Sequence, residues 1–243
     1  MSDSRKFASA LARVVRETLE ALPDEASPVW TASNHDISRF PTRWCDGDIR
    51  RVRLALFSML MLPGSTVIYY GDEIGMVDVE VPESSIRDAM RPLAGETRDR
   101  VRTPMQWEPG PKAGFTDPEI TPWLPVGDTA GINVEGSCSD PSSVLHLFRA
   151  LLSLRRSLDG LASAAYRQIL VTDNLWFWRR GERYIVMTNF SDEKASLLDI
   201  TGDVLSTSQG NVAEGAALHG AVMGGTDLQS IGTQVSTMSE LAP

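Results

Sequence analysis

The chain has 243 residues, 42% of them hydrophobic and 23% charged, a globular balance that excludes disorder and, at about 150 residues per domain, allows one or two domains. Its formal charge of −9, with no basic run, argues against a nucleic-acid partner, which would need Lys and Arg against phosphates. The longest apolar run, Leu54 to Leu62, is interrupted by Ser58 and stopped by Pro63, well short of the roughly 20 residues of a membrane span.

In chain order, Phe7 to Leu22 reads as an amphipathic helix. Phe7, Leu11, Val14, Val15, Leu19 and Leu22 form its apolar stripe, and Pro23 ends it. Val29-Trp30-Thr31-Ala32 is a short β-branched and aromatic strand running into Asn34-His35-Asp36. A second helix opens near the N-cap Asp48 and continues to Leu62. It is apolar around most of its circumference, so burial on more than one side is expected. Thr66 to Tyr70 is a continuous apolar run, the pattern of a parallel strand covered on both faces. Strand, helix and strand make one βαβ unit, whose connection is right-handed in nearly all cases.

From Gly75 to Asp140 no period holds. The segment is rich in Pro, Gly, Asp and Arg, with scattered Trp107, Phe115 and Trp123. A loop of that length carrying aromatics is expected to be ordered and functional. Asp140-Pro141 opens a third helix through Val144, Leu151 and Leu154 that ends by Gly160. Arg155-Arg156 is expected as a solvated helix end, favoured there by the macrodipole. The texture then turns to β: Leu175 to Trp178 and Tyr184 to Met187 flank Arg180-Gly181-Glu182, a hairpin signal. Trp176 and Trp178 are expected to divide between two faces, with a sugar-stacking platform as the other reading. Leu197 to Ile200 reads as a further strand, and the tail from Ser206 has weak periodicity.

Chemistry is sought first at Asn34-His35-Asp36, because the C-terminal ends of parallel strands are where α/β folds bind ligands. A carboxylate beside an imidazole can grip adjacent sugar hydroxyls or steady a developing positive charge. Asp after a strand is also a common turn-former, so the tripeptide by itself leaves both readings open. Cys45 and Cys138, without any CxxC pair, suggest neither a disulfide framework nor zinc. No signal-peptide hydrophobic region follows the N-terminal residues. A reduced, cytoplasmic protein with no metal and no cofactor is the expectation.

Longer motifs extend the tripeptide. Trp30 to Arg39 (WTASNHDISR), Pro63 to Met76 (PGSTVIYYGDEIGM), Arg102 to Trp107 (RTPMQW), Ala113-Gly114-Phe115 and Pro122 to Pro125 (PWLP) resemble glycoside hydrolase family 13, in its α-glucosidase branch. The resemblance covers residues 1 to about 200. It implies an α/β plus all-β chain: the C-terminal part of a (β/α)8 barrel, with strands seven and eight and the long loop 75–140, over residues 1–162. A small β-sandwich would follow over 163–243, with a last strand beyond Leu241-Ala242-Pro243 missing. By the same resemblance Asp36 is the carboxylate that stabilises the transition state, His35 binds substrate hydroxyls and Arg39 lines the same pocket.

Retaining glycosidases need two carboxyl groups roughly 5 Å apart. In this family they come from barrel strands four and five, which the resemblance puts before this chain. Asp36 and Glu73 are the only local candidates for a rebuilt pair, and the resemblance makes Asp72-Glu73 a structural turn. The expected function is therefore a part of a retaining hydrolase of α-glucosyl oligosaccharides, inactive by itself. The alternatives are a non-catalytic sugar-binding subunit, or one completed by a separate N-terminal chain.

Overall fold

A computed structural model describes residues 7–91, 97–158, 161, 163, 165–193, 195–197, 203–207, 220–224 and 235–237. Contacts divide the chain into two compact units. One comprises Met1–Val29, Leu54–Ser65 and Leu151–Pro243, and the other Trp30–Arg53 and Thr66–Ala150. Among the described residues no helix is long and apolar enough to cross a membrane.

In the first unit, helix α1 (Phe7–Ala21) packs against strands β3 (Tyr166–Val171) and β4 (Leu175–Arg180). Its fully buried residues are Ala8, Ala12 and Val15; of the stripe read from sequence, Val15 is buried, Phe7, Leu11, Leu19 and Leu22 are half-buried and Val14 faces solvent. Alanine at i and i+4 lets the helix backbone approach the sheet closely, and the Phe7 ring meets Phe190 edge-on at 5.2 Å. The hairpin forms as expected. Strand β4 pairs antiparallel with β5 (Tyr184–Asn189), from Leu175 opposite Asn189 to Arg180 opposite Tyr184. Gly181 takes the left-handed conformation that the turn requires. With β7 (Asp203–Thr207) and β8 (Gly220–Gly224) these strands make an antiparallel sheet of order β3-β4-β5-β8-β7. Strands β6 (Ala195–Leu197) and β9 (Val235–Thr237) form a separate pair. Leu198 to Ile200, most of the tail after Thr207 and Leu241 to Pro243 lie outside the described residues.

Two expectations change in this unit. Trp176 and Trp178 do not divide between faces: both are fully buried, with ring centroids 4.2 Å apart. Residues two apart on a strand share a face, and burial removes the stacking-platform reading. Each indole N–H finds an acceptor, the Tyr166 hydroxyl for Trp176 and the Met61 carbonyl for Trp178. Nor is Arg155 a solvated end. It is partly buried and donates to the carbonyls of Leu60, Leu62 and Gly64, where helix α3 (Ile49–Leu60) runs out of intrahelical partners. Helix α3 itself matches its pattern, for every residue from Val52 to Leu62 is buried.

Most residues of β1 (Val29–Thr31) and β2 (Ser65–Val67) belong to the second unit, and the two strands pair with each other. Both are shorter than the sequence suggests. They are also not covered on both faces: Val29 is 63% exposed and Val67 52%. Among the described residues no third strand joins them, and in each strand the first and third residues are exposed. A four-residue helix, α2 (Phe40–Arg43), follows the β1 loop with Pro41 in its first turn. A 3₁₀ turn at Asp72–Ile74 leads into the long loop, whose described residues include 3₁₀ turns at Glu83–Ser85 and Arg98–Val101 and helix α4 (Val134–Ser139). Helix α5 (Val144–Ser157) starts later than Asp140-Pro141 implied. The Ser143 hydroxyl accepts from the His146 backbone N–H at its first turn, while Asp140 accepts from the Ser142 N–H and hydroxyl.

Candidate active site

The loop leaving β1 is built by its own polar residues. Asn34 Oδ1 accepts from the backbone N–H groups of Asp36 (2.8 Å) and Ile37 (3.1 Å), an Asx turn that projects His35 and Asp36 outward. Arg43, on α2, fixes the base of the turn by donating to the carbonyls of Ala32 and Ser38. The result is a half-exposed Asp36 carboxylate beside an exposed imidazole, with His35 Nε2 3.3 Å from Asp36 Oδ2.

Two arginines from the long loop close on the same carboxylate. Asp36 Oδ1 accepts from Arg98 Nη1 at 2.7 Å and from Arg102 Nη2 at 3.1 Å. Arg102 Nε also donates to the His35 carbonyl at 2.9 Å, so one guanidinium ties both residues of the pair. Arg98 is itself held by Asp88 through Nε (2.9 Å) and Nη2 (2.6 Å), a bidentate fork with defined orientation. Asp88 is in turn positioned by Asp99, whose Oδ2 accepts from the N–H groups of Arg87 and Asp88. The hydrogen bond from Arg98 holds the Asp36 carboxyl below the usual range, with the charges of His35, Arg98 and Arg102 adding to the effect. Asp36 is thus kept ionised, the form that can accept from sugar hydroxyls or stabilise a nearby cationic centre.

Arg39 is placed differently from what the resemblance implied. Its side chain has no exposed surface, so it does not line a pocket in this chain. Nη1 donates to the Tyr70 carbonyl (2.5 Å) and Nη2 to the Val101 carbonyl (3.0 Å), and Cζ lies 4.8 and 4.7 Å from the ring centroids of Tyr69 and Tyr70. This ties the end of β2 to the segment that carries Arg102. The Tyr70 hydroxyl adds a bond to the Thr103 carbonyl at 2.7 Å. Below them Asp72 is fully buried, which pushes its carboxyl up to about 6 against the lowering effect of the Ser33 hydroxyl and the Tyr69 N–H. Gly71 allows this turn: its φ is +88°, and a Cβ there would collide with Met76.

Beside the ion pairs lies a cavity of about 300 Å³, with Arg102 in its wall. Tyr70, Glu73, Trp107, Phe115 and Trp123 are among its other lining residues. Asp36 meets Arg102 as an ion pair, and Glu73 lines the cavity together with Arg102. Among the described residues no cluster of three or more His, Cys, Asp or Glu side chains is placed to hold a metal ion. Sequence reasoning located His35 and Asp36 but missed Arg98, Asp88 and the ionic role of Arg102. The available signal was Arg98-Asp99-Arg100-Val101-Arg102, alternating basic residues inside a loop already expected to be functional.

A family model described as the alpha-amylase catalytic domain matches residues 3–164, and the chain belongs to this family of glycoside hydrolases, whose enzymes have the (β/α)8 fold. The relatives are of α-glucosidase type. Oligo-1,6-glucosidase from Parageobacillus thermoglucosidasius is 32% identical over 192 residues, covering 66% of this chain and 34% of the relative. Trehalose-6-phosphate hydrolase from Escherichia coli is 35% identical over 188 residues, again 66% and 34%. Among solved structures, an α-glucosyl transfer enzyme superposes with a TM-score of 0.78 at 26% identity, covering 91% of this chain and 44% of that one. The trehalose-6-phosphate hydrolase of Bacillus licheniformis gives 0.74 at 26% identity, covering 90% and 46%. The chain therefore spans about a third of the length of these curated relatives.

Proposed function

We propose that this chain is the C-terminal part of a retaining α-glucosidase-type hydrolase acting on α-glucosyl oligosaccharides, and that it supplies the transition-state-stabilising carboxylate without the nucleophile or the acid/base. In this reading β1 and β2 are barrel strands seven and eight within a catalytic part over residues 1–162. The antiparallel strands after residue 163 belong to a C-terminal β-sandwich. The observation that carries the reading is Asp36: a carboxylate at a strand end, held ionised by Arg98 and Arg102 and open beside His35. In an oxocarbenium-like transition state such a fixed negative charge is worth more than in the neutral ground state, which is the condition for catalysis. His35, exposed on the same turn, would donate to or accept from a sugar hydroxyl. Arg39, buried behind the site, acts as a positioning residue.

A second reading, a subunit completed by a separate polypeptide, is favoured by the open faces of β1 and β2. Release of p-nitrophenol from p-nitrophenyl α-glucoside tests the first. The chain alone should release none. Fused behind the preceding two-thirds of the Parageobacillus oligo-1,6-glucosidase it should become active, and Asp36→Asn in that fusion should abolish turnover. Turnover by the chain alone that is lost in Asp36→Asn would overturn the division of labour.

A further inference from the structure

The turn that carries His35 and Asp36 begins and closes on one hydroxyl. Ser33 lies buried just past the end of β1, and its Oγ accepts from the backbone N–H of Phe40 at 2.9 Å. Residues 33–40 are thus a loop drawn together by a single side chain. The Ser33 carbonyl is held as well, accepting from the Thr31 hydroxyl at 2.8 Å. A serine hydroxyl has one proton and two lone pairs. For a lone pair to face Phe40, the proton must be held by another group, and the group bonded to the Ser33 hydroxyl is the Asp72 carboxyl.

Nothing else at the site uses Asp72. It has no exposed surface. Oδ2 accepts from the Tyr69 N–H at 3.2 Å, and Oδ1, equally buried, has no hydrogen-bond partner. The positive charge acting on it is Arg39 and the negative one Glu73, and the Nη groups of Arg39 are engaged with the carbonyls of Tyr70 and Val101. A buried carboxyl with an unsatisfied oxygen costs stability that an apolar side chain would not. What it provides is a fixed acceptor for the Ser33 proton.

We propose that Asp72 is a positioning residue for Asp36: it holds the Ser33 proton, which aims a Ser33 lone pair at Phe40 and fixes the turn on which Asp36 meets Arg98 and Arg102. This role rests on the reading of Asp36 as the working carboxylate. An ionised carboxyl is a stronger acceptor than a protonated one, so the turn is held tightest above about pH 6, where Asp72 has lost its proton. Global stability runs the other way, because ionising a buried carboxyl destabilises the fold. The two effects therefore differ in where along the chain the response to pH appears.

The test needs no turnover, so it and the glucosidase reading can fail separately. Amide hydrogen exchange is measured on the 243-residue chain at about pH 5 and about pH 7, on either side of the Asp72 titration, and corrected for the intrinsic rate. Protection of the Phe40 amide should rise about fivefold from the lower pH to the higher, the difference between a neutral and a charged acceptor. Protection of Met187 in β5 should not rise. In Asp72→Asn, neutral at both pH values, the rise at Phe40 should vanish. Ser33→Ala should move the Asp36 carboxyl, held low by Arg98, toward the ordinary carboxylate value in a carbon-13 titration. A rise at Phe40 that persists in Asp72→Asn, a parallel rise at Met187, or an Asp36 midpoint unmoved by Ser33→Ala overturns the assignment.

Discussion

Replacing Arg155 with methionine is expected to destabilise the first unit by about 3 kcal/mol. The guanidinium donates to three carbonyls at the end of α3, those of Leu60 (2.6 Å), Leu62 (2.8 Å) and Gly64. Hydrogen bonds from a charged donor contribute about 1.5–3 kcal/mol each. The sum is discounted because Arg155 is only partly buried and because methionine retains most of the packed stem, which leaves roughly 2–4 kcal/mol. Arg155→Lys should recover about half of the loss, since an ammonium lacks the fork that spans several carbonyls at once. The assay is urea unfolding at sub-micromolar concentration, followed by near-ultraviolet circular dichroism from the stacked Trp176 and Trp178, which report on this unit. A loss below about 1 kcal/mol for the methionine variant, or a lysine variant equal to wild type, would refute the argument that these carbonyls depend on the guanidinium.

Arg98→Gln should raise the Asp36 pKa toward the ordinary carboxylate value, read by carbon-13 titration of the side-chain carboxyl; an unchanged midpoint would mean that Arg98 does not set it. The depressed native value means that the stabilising contribution of Asp36 is present above the unfolded pKa near 4 and is lost as pH falls through the lower native one. Asp72 has the opposite sign. With its carboxyl at about 6 in the folded chain, the native state holds a proton that the unfolded state has lost, so stability falls as pH rises from about 4 to 6, by roughly 3 kcal/mol. Asp72→Asn, which keeps the acceptor for the Tyr69 N–H, should flatten that slope in urea melts taken across this range; an identical slope would count against it. Of the two thiols, exposed Cys138 should react with a disulfide reagent in the native chain. Cys45, buried and pushed up to about 12 by desolvation, should react only after denaturation, and rapid reaction of both would contradict its burial.

Much of the fold could be read from local pattern, because the deciding contacts were either near in sequence or insensitive to direction. From Val52 to Leu62 helix α3 and the two residues after it are apolar around most of the circumference, so their burial did not depend on knowing the neighbours. The hairpin was signalled by Gly181 at its turn. What escaped depended on distance. Arg155 looks like a solvated basic end until the carbonyls of α3, more than ninety positions earlier, are placed beneath it. The stripe of α1 was legible only in part: Val15 is buried as read, but Ala8 and Ala12, buried against the sheet, carry no large apolar signal. The same division holds at the site. His35 and Asp36 follow from a strand ending in polar residues, whereas Arg98 meets Asp36 across 62 positions and no local spacing encodes that pairing. Four-residue α2 is too short to show any period.

The fork between Asp88 and Arg98 has a consequence for how such a site can be moved or modified. The strand-end tripeptide carries the carboxylate, but its charge state and aim come from residues 88, 98, 99 and 102. Transplanting Asn34-His35-Asp36 onto another strand would carry over the letters without the electrostatics. The portable part is the strand end together with the loop from about Asp88 to Arg102, and exchanges between relatives that cut between the two should give folded chains with a misaimed, ordinary aspartate.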